Sequence, residues 1–400
     1  MSRVLGILGG GQLGRMTALA ARPLGFRVHV LDPARDCAAA PVVERVIAAP
    51  FDDAAAAAEL ARSCEVVTLE IEKIAPAALA AAEAHAPVRP GPDVLQVVQD
   101  RVRQKRWLAG RGFPTGPFRE ALDEDAFVAA VHAFGGRIFA KSSFGGYDGR
   151  GQTALEEDDD RAHAEAVVVA RAGAAPAGEA RLDAAARAAW KAVGEVPCVV
   201  EQALALDGEL SVMVARGIDG ALAVYPAARN HHVDRILAWS ELPGDLPPPL
   251  VEHAQRLATS IAEDLGVIGL LCVEFFHTRD GQLLVNELAP RPHNSYHGSD
   301  VACVTGQFEQ LVRAVTGLPL GAIEATRPSA IHNLLGDLWE GGSEPPFARA
   351  LAIPGVRLTL YGKGAPRPGR KMGHLTATAD SPAGARSLVE RAFAALEPKS

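Results

Sequence analysis

Four hundred residues allow two or three domains of roughly 150 residues each. With 48% apolar and 22% charged residues the chain is compositionally globular, which excludes disordered and fibrous classes. Its 40 basic and 48 acidic side chains leave a formal charge of -8, which argues against non-specific nucleic-acid binding and requires any anionic substrate to be held by a few local cations.

Val4 to Leu8 reads as a buried first strand, followed by Gly9-Gly10-Gly11, a helix from about Gln12 to Leu24, and a strand from Phe26 to Leu31 that ends at Asp32-Pro33. An Ala-rich helix (about Asp53 to Ser63) precedes a strand from Glu65 to Ile71. This alternation predicts a parallel, doubly wound sheet for roughly the first 95 residues, and Pro87, Pro90 and Pro92 punctuate its end. A basic helix covers Asp100 to Gly110, and Arg137 to Lys141 is a short strand that runs into a glycine-dense loop. Glu156 to Arg161 is a charge run, and the Ala-rich stretch to about Gly194 has the composition of a solvated helical insertion. From Cys198 the pattern turns to β, with strands at Cys198 to Leu204, Glu209 to Arg216, Ala221 to Ala227, Leu270 to His277 and Gln282 to Leu288. One helix, about Leu250 to Leu265, interrupts them after Pro247-Pro248-Pro249. From about Ser329 there follow short strands and a closing helix near Pro382 to Leu396.

The five cysteines, Cys37, Cys64, Cys198, Cys272 and Cys303, include no Cys-x-x-Cys pair, so neither a disulfide framework nor a Cys-type zinc site is expected. No apolar run approaches the ~18 residues of a bilayer span. The chain reads as a soluble cytoplasmic protein that contacts no membrane.

Gly9-Gly10-Gly11-Gln12-Leu13-Gly14 satisfies G-x-G-x-x-G after a strand and at the start of a helix, with Asp32 closing the next strand. In a dinucleotide fold such glycines admit a phosphate to the helix N-terminus while the acid holds a ribose. An NAD-dependent oxidoreductase is therefore one reading. The same turn can also close a strand–helix junction or hold a different phosphate.

Two strands flank Thr278-Arg279-Asp280-Gly281. If Asp280-Gly281 is a two-residue type I′ turn, Arg279 pairs with Gln282 and Glu274 falls opposite Glu287. Two carboxylates ~5 Å apart on one sheet face repel unless a cation lies between them. Hard oxygen ligands beside a phosphate site suit magnesium, Mg2+. Upstream, Lys141 ends a strand just before Ser142-Ser143-Phe144-Gly145-Gly146-Tyr147-Asp148-Gly149-Arg150-Gly151-Gln152. The glycine amides of this loop can approach phosphate oxygens while Lys141 supplies a point charge. It lacks the G-x-x-x-x-G-K-[ST] pattern, which excludes a P-loop. Glu201-Gln202-Ala203-Leu204, at a strand end, can present backbone groups to a purine edge, and Glu209 can take ribose hydroxyls.

This order of strand-lysine, glycine loop, Glu-Gln-x-Leu, a later acid and two hairpin glutamates resembles the ATP-grasp superfamily, with a Rossmann-like domain in front. Four strings narrow the resemblance: Gly11-Gln12-Leu13-Gly14-Arg15-Met16, Gly145 to Gln152, Asn286-Glu287-Leu288-Ala289-Pro290-Arg291-Pro292-His293-Asn294-Ser295, and Arg367-Pro368-Gly369-Arg370-Lys371-Met372-Gly373-His374. Together they resemble the N5-carboxyaminoimidazole ribonucleotide synthase family, ATP-dependent carboxylases of purine biosynthesis.

The resemblance implies an α/β chain with a Rossmann-like N-terminal domain (1–98), a central α+β ATP-grasp domain (99–325) and a small C-terminal α+β domain (326–400). It implies that ATP phosphates meet Arg101 and Lys141 under a lid of Gly146, Tyr147, Asp148, Gly149, Arg150, Gly151 and Gln152. Adenine would lie at Glu201, Gln202, Ala203 and Leu204, the ribose at Glu209 with His232 nearby, and magnesium at Glu274 and Glu287, next to Asn286. Aminoimidazole ribonucleotide would be bound by Tyr147, Asp148 and Arg150, with Lys363, Arg370 and Lys371 near its phosphate. Bicarbonate would be activated beside Arg291, His293 and Asn294, with Lys141 assisting catalysis. The resemblance also implies a homodimer.

Four departures stand out. Tyr296 replaces the usual glycine of an Asn-Ser-Gly-His string and is expected to narrow the bicarbonate site, which makes a non-catalytic relative a further reading. Leu69-Glu70-Ile71-Glu72 keeps both acids of a Tyr-Glu-Phe-Glu strand without its aromatics. Arg229 stands where a smaller or acidic residue is common, and residues 157–195 look extended. Ala289 takes the place of the generic third metal ligand, as it does in this family. The nearest rival is another ATP-grasp ligase, such as the formate-dependent glycinamide ribonucleotide transformylase.

Overall fold

The computed structural model describes residues 3–145, 151–155 and 178–396. The N-terminal domain is built on four parallel strands, Arg3–Leu8, Phe26–Asp32, Arg45–Ala48 and Val66–Leu69, with Arg3–Leu8 between Phe26–Asp32 and Val66–Leu69. Leu5, Ile7, Leu8, Val28, Val30, Leu31, Val67 and Leu69 are all buried. Such unbroken apolar runs are expected of a parallel sheet covered on both faces. The first helix spans Gln12–Ala21 and stops short of Leu24. Arg22 is still helical (φ -61°, ψ -48°), but Pro23 has no N–H to continue the hydrogen-bond ladder, so the helix closes on Arg22.

A four-stranded antiparallel sheet follows, ordered Phe118–Ala121, Cys198–Gln202, Ile138–Ser142, Gln152–Leu155. Helices Glu124–Ala133 and Glu179–Val193 cover it with Phe127, Val131, Ala186, Trp190 and Val193. The larger sheet has nine strands. Its order is Leu283–Ala289, Gly269–Thr278, Leu206–Arg216, Ala228–Val233, Ile236–Leu242, Ser329–Leu335, Lys371–Thr378 and Val356–Leu360, with Leu222–Val224 pairing off Leu206–Arg216.

The C-terminal strands thus continue the central sheet, through Trp239 opposite His332 and Leu242 opposite Ser329. That places the 361–371 segment beside the central strands. The strand expected at Ala221 to Ala227 is cut to Leu222–Val224, short of Pro226, which has no N–H to donate, and strands Ala228–Val233 and Ile236–Leu242 were not expected. Helix Pro248–Asp264 begins at the proline run as expected. Helix Gln307–Thr316, absent from the sequence reading, buries Phe308, Leu311, Val312 and Val315 on one face. Among the described residues no helix is long and apolar enough to cross a membrane.

Candidate active site

The glycine loop does not leave its donors to a dinucleotide. The amides of Gly11 and Gly14, at the N-terminus of helix Gln12–Ala21, donate to the two carboxylate oxygens of Glu70. A Cβ at Gly9 or Gly11 would collide with that side chain. Asp32 Oδ2 accepts from the Gly10 amide at 2.9 Å and Oδ1 from the Ala34 amide at 2.8 Å, so it is not free to hold a ribose. The close approach that these glycines allow is to a protein carboxylate at a helix N-terminus. The dinucleotide reading is overturned. Burial raises the Glu70 pKa, and the two amides work against that rise.

The hairpin places Glu274 opposite Glu287, as expected, but by a different route. The turn is three residues, Arg279-Asp280-Gly281, with the Gly281 amide on Thr278 O at 2.9 Å and Gly281 at φ +82°. His277 therefore pairs with Leu283, one residue off the expected register. A bulge between Glu274 and Phe275 restores it, and the two glutamates still meet. Burial raises the Glu274 carboxyl to about 7; His232 acts against the rise, while Glu287 and Glu209 add to it. Two carboxylates facing each other on one sheet face fit a divalent cation between them. Among the described residues no group of three or more such ligands occurs. Two carboxylates suffice for a magnesium ion whose remaining ligands are phosphate oxygens and water.

Between the two sheets lies a cavity lined by Arg101, Gln104, Lys105, Lys141, Val199, Glu201, Asn286 and Glu287. Asp100 caps helix Arg101–Gly110, accepting from the Arg103 amide at 3.0 Å and from Ser143 Oγ at 2.5 Å. The cap ties the start of the glycine loop to the helix that carries Arg101. Arg101 Nη1 donates to Ser142 O at 3.3 Å, and its Nη2 lies 3.8 Å from Glu287. Lys141 reaches Glu201 Oε2 at 2.7 Å and Asn286 Oδ1 at 3.0 Å, bridging the two sheets.

Glu201 lies one residue before the end of its strand, its backbone between Phe118 and Phe139, and its buried carboxylate holds two lysines. Burial alone would raise its pKa, but Lys105 and Lys141 hold it down to about 2. Gln202 ends the strand, the Ala203 amide bonds Arg137 O at 3.0 Å, and Leu204 follows in the connection to the next strand. Lys105, 2.6 Å from Glu201 Oε1, is a site residue the sequence reading missed. Its signal was spacing: it lies one helical turn after Arg101, on the same face.

Glu209 and His232 come from strands paired at Glu209–Asn230, and His232 Nδ1 lies 3.0 Å from Glu209 Oε2. Burial would lower the His232 pKa, but the Glu209 carboxylate outweighs it and the net shift is upward.

The loop after the hairpin turns back onto Glu274. His293 Nε2 is 3.1 Å from Glu274 Oε1, while its Nδ1 lies 2.8 Å from Ser295 Oγ and accepts from the Ser295 amide. An accepting Nδ1 assigns the proton to Nε2, which donates to Glu274. Burial, reinforced by Arg291, holds His293 well below the ordinary imidazole range. Arg291 Nε pairs with Glu72 at 2.7 Å, so Glu72 of the N-terminal domain joins the site. Asn294 is buried, and neither its amide oxygen nor its amide nitrogen has a partner among the described residues.

Tyr296 does not narrow this site. It is fully buried, its ring edge lies against Tyr225, and its hydroxyl is 2.9 Å from both Ser211 O and Pro226 O and accepts from the Met213 amide at 3.0 Å. Its backbone is in a turn of 3-10 helix, and its side chain faces the core.

From the C-terminal segment, Lys363 Nζ reaches Gln12 Oε1 at 2.5 Å, at the start of the glycine-loop helix, and Lys371 O at 2.9 Å. Lys371 contributes to the electrostatic surroundings of Glu274, His232 and His293. Arg370 Nη1 bonds Ala365 O within its own loop. Gly151 and Gln152 are described, and Gln152 pairs with Lys141. Gly146, Tyr147, Asp148, Gly149 and Arg150, with 156–177 of the insertion, lie outside the described residues.

Three family models cover the chain: a ribonucleotide synthetase preATP-grasp domain over 1–99, an ATP-grasp domain over 106–308, and a phosphoribosylaminoimidazole carboxylase C-terminal domain over 329–387. The chain is 38% identical over 372 residues to the N5-carboxyaminoimidazole ribonucleotide synthase of Brucella melitensis, covering 93% of this chain and 95% of that protein. It resembles the crystal structure of N5-carboxyaminoimidazole synthetase from Staphylococcus aureus complexed with ADP (31% identity, TM-score 0.85, 99% and 98% of the two chains). It also resembles the Aspergillus clavatus N5-carboxyaminoimidazole synthase in complex with ADP and 5-aminoimidazole ribonucleotide (27% identity, TM-score 0.82, 99% and 98%). The chain belongs to the N5-carboxyaminoimidazole ribonucleotide synthase family of ATP-grasp ligases.

Proposed function

We propose that this enzyme uses ATP and bicarbonate to carboxylate 5-aminoimidazole ribonucleotide, giving ADP, phosphate and N5-carboxyaminoimidazole ribonucleotide. A bicarbonate oxygen attacks the γ-phosphorus, ADP leaves, and carboxyphosphate forms. Carboxyphosphate breaks into phosphate and CO2, and the exocyclic amine of the ribonucleotide bonds to the CO2 carbon as it loses a proton. The observation that carries this reading is the contact between His293 and Glu274. It sets the Arg291–Asn294 loop at the end of the cavity where the hairpin carboxylates, and any metal they hold, would meet the terminal phosphate. The free amide of Asn294 offers bicarbonate a donor and an acceptor in a site largely shut from water.

Arg101 and Lys141 neutralise the phosphates, and Arg291 stabilises charge on the bicarbonate. Glu209 and His232 take the ATP ribose side, and the connection at Ala203 and Leu204 takes the adenine. Lys363, with Arg370 and Lys371, holds the substrate phosphate near the helix that begins at Gln12. Magnesium at Glu274 and Glu287, a lid from Gly145 to Gln152, domains at 1–98, 99–325 and 326–400, and a cytoplasmic homodimer complete the reading. Omitting each substrate in turn from a phosphate-release assay tests it. Release from ATP is expected to rise at least about tenfold when both bicarbonate and the ribonucleotide are present. Formate in place of bicarbonate is expected to give no stimulation, and stimulation by formate would favour the transformylase reading.

A further inference from the structure

We propose that Lys105 is a positioning residue for ATP, a buried counter-cation that occupies one oxygen of Glu201 and so leaves the charge of Lys141 available to the phosphates. The proposal rests on the reading that Lys141 meets those phosphates. Glu201 divides its carboxylate between two lysines, Oε1 to Lys105 at 2.6 Å and Oε2 to Lys141 at 2.7 Å. The side chains are 6%, 10% and 13% exposed for Lys105, Glu201 and Lys141, so water screens the three charges little.

The charge balance decides the role. Two ammonium groups and one carboxylate leave the trio with a net positive charge facing an anionic ligand. Without Lys105, Glu201 and Lys141 would form a closed pair of zero net charge, and a carboxylate oxygen would be freed beside the phosphates. Lys105 lines the cavity wall beside Glu201, and its Nζ donates to the Val285 carbonyl at 3.4 Å. A buried ammonium is costly, because burial pushes it towards its neutral form. If only packing were needed, an apolar chain of similar length would serve at least as well. A lysine here therefore has its use in its charge.

ATP affinity, measured by calorimetric titration of ATP onto the purified enzyme, tests this. Lys105→Met is expected to weaken ATP binding at least about tenfold while changing the KM for the ribonucleotide less than about twofold. Adding Glu201→Gln to Lys105→Met restores the net positive charge and is expected to bring ATP affinity back to within about threefold of the unmodified enzyme. A packing role would not produce that recovery. Unchanged ATP affinity in Lys105→Met, or a double variant no tighter than the single one, overturns the proposal. If Lys105→Met does not fold, the double variant decides: near-native affinity supports the proposal, and a folded protein that has lost ATP overturns it. Lys141→Met separates the two levels, because unchanged ATP affinity there removes the underlying reading of Lys141 as well.

Discussion

Replacing Glu287 with glutamine lowers turnover at least about a hundredfold, close to 3 kcal/mol of transition-state stabilisation, and leaves thermal stability near that of the unmodified enzyme. The two expectations have separate physical grounds. Glu287 is 43% exposed at its side chain and has Arg101 at 3.8 Å as an ion-pair neighbour, so an isosteric amide disturbs little of the fold. Removing its charge, however, leaves Glu274 as the one carboxylate of the facing pair. A metal held by that pair would lose half of its protein ligands, and higher magnesium should recover part of the loss. Turnover measured over a magnesium series, beside a melting curve, checks both. A variant within about threefold of native turnover at every magnesium concentration would show that the pair does not serve the reaction.

Tyr296→Gly lowers stability by about 4 kcal/mol and does not raise activity per folded molecule. Its ring fills a fully enclosed space against Tyr225, and its removal leaves a cavity among residues that include Met213, Ala228 and Cys272. Its hydroxyl serves the Met213 amide and the carbonyls of Ser211 and Pro226, so Tyr296→Phe should cost about 1–3 kcal/mol through the unsatisfied amide alone. Denaturant midpoints for both variants, with phosphate release normalised to folded protein, provide the check. A glycine variant of native stability and faster turnover would mean that the tyrosine obstructs the site after all.

Much of the site was legible because its chemistry sits in contiguous strings. Glu287 to Asn294 carries one of the two facing carboxylates and the loop that returns to Glu274, and Lys141 announces itself at a strand end before glycines. The hairpin shows how a correct pairing can rest on an incorrect turn. Asp280-Gly281 suggested a two-residue turn, but the chain uses three residues and recovers the pairing with a bulge, a compensation invisible in the alternation of side chains. The glycine loop misled because a motif specifies a close approach and not what approaches. Here Glu70, 56 residues downstream of Gly14, fills the place of a phosphate. Tyr296 misled for a related reason: it follows the candidate residues His293 and Asn294 in sequence, while its side chain is buried against Tyr225. Lys105 and Glu72 were passed over because their partners, Glu201 and Arg291, are distant in the chain.

Activation of bicarbonate by phosphoryl transfer before it reaches the amine has a direct test in the fate of its oxygen. With bicarbonate labelled in heavy oxygen, one labelled oxygen per molecule should appear in the released phosphate, because the bond that breaks in carboxyphosphate is the one between carbon and the bridging oxygen. Phosphate that carries no label, collected while the ribonucleotide is being carboxylated, would contradict it.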